Sequence, residues 1–415
     1  MTTPPLGELV RRSAAADLLP RRSQARASDA VGEPCLVDAL DLGDGCAVCI
    51  VDIGDRRVAV PARVTDGRLV RDPGVASLLR AGDIGAFHVE VTGVLPADVR
   101  TIDVDQSNDS VILGDAVVVK WQVDVAPSPA PSRLRALARS GITPDPRAIV
   151  EWTDPNGSVC TVLTAAVNRP GAEDGWTWAV DLVRAHAQGE DVDAVGPFAD
   201  LGALVGQMHV MLSNAGVGTW SGPRCADLVA SMQADLDEAV AVMDGAEGER
   251  LRSRRGALAA IIDRAREVDS TPVIPIHGDL HIGQVLRDEQ GVSIIDFDGN
   301  PLLLAEERCA PAPAARDVAG MLASIDHVAR VVNYRTPGLD PRPALVWIAH
   351  AQDAFLAEYQ STVTSAGMRH LLDDRLLQPM MIDQECREYI YSARHLPHWR
   401  YVPDAVITHL LPEED

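Results

Sequence analysis

An α+β fold is predicted for this chain, with a β-rich N-terminal part and an α-helical C-terminal part. Three observations predict it. Up to about residue 95, apolar runs with polar interruptions alternate with Gly and Asp turns, as in Val48-Cys49-Ile50-Val51, Arg57-Val58-Ala59-Val60 and Phe87-His88-Val89-Glu90-Val91, the pattern of an antiparallel sheet. The run Val117-Val118-Val119-Lys120 is strongly β-type. From Trp176 onward the period becomes helical, and Leu201, Leu204, Val205, Met208, Met211 and Leu212 form one apolar stripe. At 415 residues the chain exceeds what one core usually serves, so two or three lobes are expected.

Taken in order, residues 1–95 read as a first sheet module. Residues 96–170 supply the lysine strand and a further sheet. Within them, Ala126-Pro127-Ser128-Pro129-Ala130-Pro131 is a linker into a short helix at Leu134 to Ala138. Val162 to Val167 is a second apolar strand. Residues 171–415 are expected to be α-rich, with helices including Trp347 to Tyr359 and Met380 to Arg394. His209, inside the apolar stripe, reads as a satisfied structural histidine rather than a ligand.

Composition excludes several functions. No run approaches the ~18 apolar residues of a membrane span, and the start has no apolar signal core, so a cytoplasmic protein is expected. The net charge of −23 repels nucleic acid and anionic membranes, and mildly favours a cationic small substrate. Seven scattered cysteines argue against a disulfide framework. Cys46 and Cys49 form a lone Cys-x-x-Cys in a strand-like run and read as packed thiols rather than zinc ligands.

Of 37 basic residues, only Lys120 is a lysine. A bias toward arginine can sweep every position that tolerates either residue. A position that resists it needs a compact ammonium with rotating donors rather than a planar fork. A lysine emerging from a buried strand to grip nucleotide phosphates has that need, as in the lysine strand of protein kinases.

The most informative stretch is Ile276-His277-Gly278-Asp279-Leu280-His281-Ile282-Gly283-Gln284, followed by Ile294-Ile295-Asp296-Phe297-Asp298-Gly299. Asp279 and Gln284 have the spacing between the base and the metal-binding amide of the kinase catalytic loop. Two short strands around Asp288-Glu289-Gln290-Gly291 predict a hairpin with Gln284 and Asp296 at neighbouring open ends, where two oxygens can meet one cation. Asp279, on the loop just before, can accept the proton of an incoming hydroxyl. Asp298 shares the strand face of Asp296 and is a candidate for metal or for solvent. Gly278 and Gly283 argue against a helix that would align His277 and His281 on zinc.

These residues resemble the aminoglycoside-phosphotransferase-like kinases, and within them the bacterial maltokinase and glucosamine kinase group, which carries His-Gly-Asp-x-His-x-Gly-Gln and an Asp-Phe-(Glu/Asp)-Gly ending. Further matches are Ser107-Asn108-Asp109-Ser110, Asp174-Gly175-Trp176, Arg316 to Met321, and the tail residues Glu388, Tyr391, Arg394, Pro397 and Trp399. The resemblance implies a bilobal protein-kinase-like fold, with residues 1–95 as an extra cap on the β-rich N-lobe and an α-helical C-lobe. It implies Asp279 as base, with Gln284 and Asp296 as Mg²⁺ ligands. ATP would be gripped by Lys120 with Ser107, Asn108 and Ser110, and its adenine would meet the strand carrying Leu163, Ala165 and Val167. The expected partners are ATP and a sugar or amino sugar, with no nucleic acid, membrane or protein partner.

Two departures shape the substrate expectation. The helix after Lys120 has no acidic residue to orient the lysine. In the tail, the maltokinase pattern carries Lys at Gln384, Tyr at Arg387, Glu at Ser392 and Asn at His395. The same tail is rich in acids, which suit a protonated amine. D-Glucosamine, phosphorylated at O6, is therefore expected, with maltose or an aminoglycoside as the alternatives. The expected substrate residues are Glu388 with Arg394 and Trp399, then Asp383, with His281 beside the base. Asp317 is either a substrate residue or the cap of its helix.

Overall fold

The structure, a computed structural model, describes residues 5–20, 33–101 and 109–411. Two compact units emerge: Met1–Gly171 with Pro301–Cys309, and Ala172–Asn300 with Ala310–Asp415.

The first unit is built on strands β1 (Cys35–Gly43), β2 (Cys46–Ile53), β3 (Arg56–Thr65), β4 (Arg68–Arg71), β5 (Gly82–Ile84), β6 (Phe87–Val91), β7 (Val99–Thr101), β8 (Asp109–Leu113), β9 (Val117–Ala126), β10 (Pro146–Thr153) and β11 (Val159–Val167). They form one sheet in the order β1-β2-β3-β9-β11-β10-β6-β5, with β4 on β3, β8 on β9 and β7 on β8. Every pairing is antiparallel. Asp44-Gly45, both at positive φ (51° and 75°), joins β1 to β2 in the geometry whose twist matches the strands it connects. The division expected at residue 95 falls inside this sheet, since β6 pairs β10 from Val91↔Ala148 to Phe87↔Trp152.

Period-two alternation sorts the strand residues onto two cores. Val48 and Ile50 join Trp121, Trp152 and Leu163 on one face. Ala47, Cys49 and Val51 join Val60 on the other, under Leu9, Val10 and Leu18 from the helices Leu6–Arg12 and Ala15–Leu18. Cys46 and Cys49, three apart, fall on opposite faces, so the Cys-x-x-Cys forms no pair. Burial pushes the Cys49 thiol up to about 12.

The second unit is helical. Its central helix, Ala315–Arg335, buries almost every residue from Ala315 to Val332 between Gly175–Ala187, Arg342–Ser365 and Leu377–Arg394. The expected stripe on Gly196–Ser213 is buried at Leu201, Val205, Met208 and Leu212. The expected hairpin forms from Val285–Asp288 and Gly291–Ile294, in register from Val285↔Ile294 to Asp288↔Gly291. No helix among the described residues is long and apolar enough to cross a membrane.

Candidate functional site

The loop His277 to Gln284 is held from below by Asp317, in the first turn of the central helix. The buried Asp317 carboxylate accepts the amide protons of His277 at 2.6 Å and Gly278 at 2.8 Å. It also takes His209 Nε2 at 3.1 Å, whose Nδ1 lies 2.8 Å from the Tyr359 hydroxyl. Burial alone would raise the Asp317 carboxyl, but the His209 imidazole, His277 and the Gly278 amide hold it below its ordinary value. His209 is thus the satisfied structural residue that its sequence context predicts. Asp317 does not cap its helix, whose N-cap is Ala314 with no side-chain cap. It anchors the loop, and this placement lends nothing to a substrate role.

His277 pins the loop to the hairpin. Its Nε2–H donates to the Ile295 carbonyl at 2.9 Å, and Nδ1 accepts the Asp279 amide at 3.3 Å. Ser324 Oγ accepts the Ile282 amide at 2.9 Å from the central helix. Gly175, at the start of Gly175–Ala187, lets that helix reach the loop: a Cβ there would stand 1.7 Å from the Ile282 carbonyl oxygen.

On this frame Asp279 is half-buried. Burial, reinforced by Asp296, Glu388 and Asp317 and opposed by His277, pushes its carboxyl up to about 6. His281 is held neutral by burial, against Glu388 and Asp296. Its Nδ1 accepts the Gly283 amide at 3.1 Å, and Nε2 lies 3.4 Å from Gln284 Nε2. With Nδ1 accepting, the neutral imidazole carries its proton on Nε2, which faces the Gln284 side-chain amide.

Gln284 and Asp296 flank the open end of the hairpin, closed by Ile295 N–H donating to the Gln284 carbonyl at 2.9 Å. Asp296 has φ of 66°, a left-handed backbone that costs energy outside glycine and clusters at functional sites. It is exposed, and Asp298 is half-buried. An amide and two carboxylates are hard oxygen donors, which fit Mg²⁺ and not zinc.

The tail residues separate. Asp383 and Glu388 lie roughly 140° apart around the helix Leu377–Arg394. Asp383 pairs with Arg387 at 3.1 Å, which also holds Asp235. Glu388 takes Gln384 Nε2 at 3.1 Å and Trp399 Nε1 at 2.9 Å. It is the face carrying Glu388 that acts on Asp279 and His281. Arg394 is exposed and pairs with Glu238, not with Glu388. Trp399 packs edge-on to Trp176, with centroids 5.4 Å apart. Sequence reasoning therefore missed Trp176, visible only as part of Asp174-Gly175-Trp176, and Gln384, visible only as a departure.

Within the first unit, Lys120 lies on β9 directly opposite Ser110 on β8 and Thr164 on β11. Its neighbours Val119 and Trp121 point into the core. Leu163 and Ala165 are buried inside β11, with β9 on one side and β10 on the other. Val167 closes that strand, its amide donating to the Asp145 carbonyl at 2.9 Å. Ser107 and Asn108 lie outside the described residues.

Residues 98–369 match the phosphotransferase enzyme family. A glucosamine kinase of Streptacidiphilus jiangxiensis is 45% identical over 436 residues, covering 99% of each chain. A glucosamine kinase of Mycolicibacterium smegmatis is 40% identical over 76% of this chain and 80% of its own. A solved glucosamine kinase in complex with glucosamine, ADP and inorganic phosphate superposes with a TM-score of 0.87 at 40% identity, covering 99% of this chain and 100% of that one. The family match spans most of the chain and one relative covers nearly all of it, so the chain belongs to the phosphotransferase enzyme family.

Proposed function

We propose that the chain is an ATP-dependent glucosamine kinase that transfers the γ-phosphoryl group to the 6-hydroxyl, giving glucosamine 6-phosphate and ADP. One observation carries this reading beyond the family: Asp279 and Glu388, on different elements of one unit, are close enough for the charge of one to raise the carboxyl of the other. A base for a hydroxyl and an anion for an ammonium thus lie within electrostatic reach of each other. The relatives named above, which are glucosamine kinases, support the same substrate.

In this reading Asp279 takes the proton from the sugar hydroxyl as its oxygen forms a bond to the γ-phosphorus and the bond to the leaving ADP oxygen breaks. Lys120 grips the nucleotide phosphates as a point charge. Gln284 and Asp296, with Asp298, would hold Mg²⁺, which neutralises phosphate charge when bound. Glu388, oriented by Trp399, receives the substrate ammonium, and His281 stays neutral beside the base. A cytoplasmic location is part of this reading, since ATP is the co-substrate.

The test is catalytic efficiency with glucosamine, glucose, N-acetylglucosamine and maltose. Glucosamine should be the best acceptor. Acetylation removes the charge and adds bulk, so N-acetylglucosamine should be poor. Maltose proving best would overturn the assignment.

A further inference from the structure

Most buried carboxylates of the helical unit have a cationic partner. Asp326 pairs with Arg330 Nε at 2.6 Å. Glu385 pairs with His327 Nε2 at 2.9 Å, and that imidazole is pushed up to about 9: burial opposes its charge, and Glu385 and Glu388 more than compensate. Asp383 has Arg387.

Glu388 differs. Both of its oxygens are held, but by neutral donors: the Gln384 amide at 3.1 Å on Oε1 and the Trp399 indole at 2.9 Å on Oε2. Among the described residues no cationic side chain lies within ion-pair distance of it. Neutral donors orient a carboxylate without cancelling its charge, so although Glu388 lies in the field of the His327 imidazolium, its oxygens make no direct ion pair and stay open to one. The hydrogen bonds also leave lone pairs open on each oxygen. Gln384 stands one helical turn before Glu388, where a cationic residue would form an i, i+4 ion pair, as Asp383–Arg387 and Asp326–Arg330 do.

We propose that Gln384 is a specificity-determining positioning residue: it holds Glu388 with an uncharged amide, so the carboxylate stays available to the ammonium of an amino sugar. This rests on the reading of the chain as a glucosamine kinase and deepens it. Preference for amino over neutral sugars is set one turn away from the carboxylate, by the absence of charge at residue 384. A lysine there would occupy Glu388 from within the protein, and a substrate ammonium would have to displace it.

The experiment measures kcat and KM for glucosamine and for glucose in wild type, Gln384→Lys and Gln384→Met. In Gln384→Lys the ratio of glucosamine to glucose efficiency is expected to fall by about 10–100-fold, the worth of one charge-assisted hydrogen bond, with the loss in KM for glucosamine. Gln384→Met removes the donor but adds no charge. It should raise KM for glucosamine modestly and keep the preference for it. Equal losses on both sugars in Gln384→Lys would show that Gln384 merely supports the helix, and would overturn the proposal. So would a Gln384→Met enzyme whose preference collapses as far as that of the lysine variant. A wild-type enzyme with no preference for glucosamine would sink the functional reading itself, before either variant is compared.

Discussion

Asp279 stands among three other carboxylates, Asp296, Glu388 and Asp317, in a half-buried position that already disfavours charge. Its pKa of about 6 sits close to neutral pH, where a base both is ionised and holds a proton well. The sign follows directly. In the proposed mechanism Asp279 accepts a proton and so works only when ionised; activity should then be retained above about 6 and lost as pH falls through that value. The acid limb of kcat/KM, which reports the free enzyme, should therefore appear near 6 rather than in the ordinary carboxylate range. Asp279→Asn should lower kcat by ~10²–10⁴-fold and abolish that limb while ATP still binds. Near-normal turnover in the asparagine variant would remove Asp279 from the reaction. Cys49 makes the opposite point at the same scale: burial raises its thiol too, but it faces a core and the shift has no chemistry to serve.

At the scale of elements, the loop is held by backbone amides given to Asp317 and Ser324 on the central helix, and by the His277 side chain, which donates to the Ile295 carbonyl just past the hairpin strand. The Gly175–Ala187 helix adds steric closeness instead of a hydrogen bond. With a Cβ 1.7 Å from the Ile282 carbonyl oxygen, Gly175→Ala must displace either the helix or the loop, and the atom it meets is backbone. Overpacking of this kind typically costs ~1–3 kcal/mol. Thermal unfolding should show that loss, and kcat should fall with it because Gln284 and Asp279 ride on the same loop. A Gly175→Ala enzyme with unchanged melting temperature and unchanged kcat would mean that the approach is slack. Asp317 illustrates what sequence alone does not show at this level. Of the two readings open to it, the structure removes capping, since the N-cap is Ala314, and the backbone amide forty positions earlier in the chain takes up its carboxylate.

Over the whole molecule the net charge of −23 sets a long-range field. It concentrates cations near the surface and is screened over about 10 Å at 0.1 M salt. Glucosamine carrying its ammonium should feel this, and glucose should not. KM for glucosamine is therefore expected to rise as potassium chloride is raised, while KM for glucose stays flat. Parallel behaviour of the two sugars across the salt series would show that the field plays no part in capture. The first unit's one lysine, Lys120, is the converse: a local positive group inside a repelling field, on a strand whose alternate residues are buried.

Sequence alone determined the parts whose partners are near neighbours in the chain. The hairpin brings the ends of Gln284 and Asp296 together because a tight turn leaves strands of that length no other register. The β-type run that ends on Lys120 and the helical stripe of Gly196–Ser213 follow from periods of 2 and roughly 3.6. Tertiary structure decided everything that depends on which neighbour a face meets. One continuous sheet crosses residue 95 because β6 finds its partner in β10, more than fifty residues on. In the acidic tail, Asp383 and Glu388 are equivalent as letters. Helix phase turns the first toward Arg387 and Asp235 and the second toward Trp399 and Asp279. A carboxylate's use depends on whether a cation has already answered it, and that is a property of packing, which no local pattern in the chain encodes.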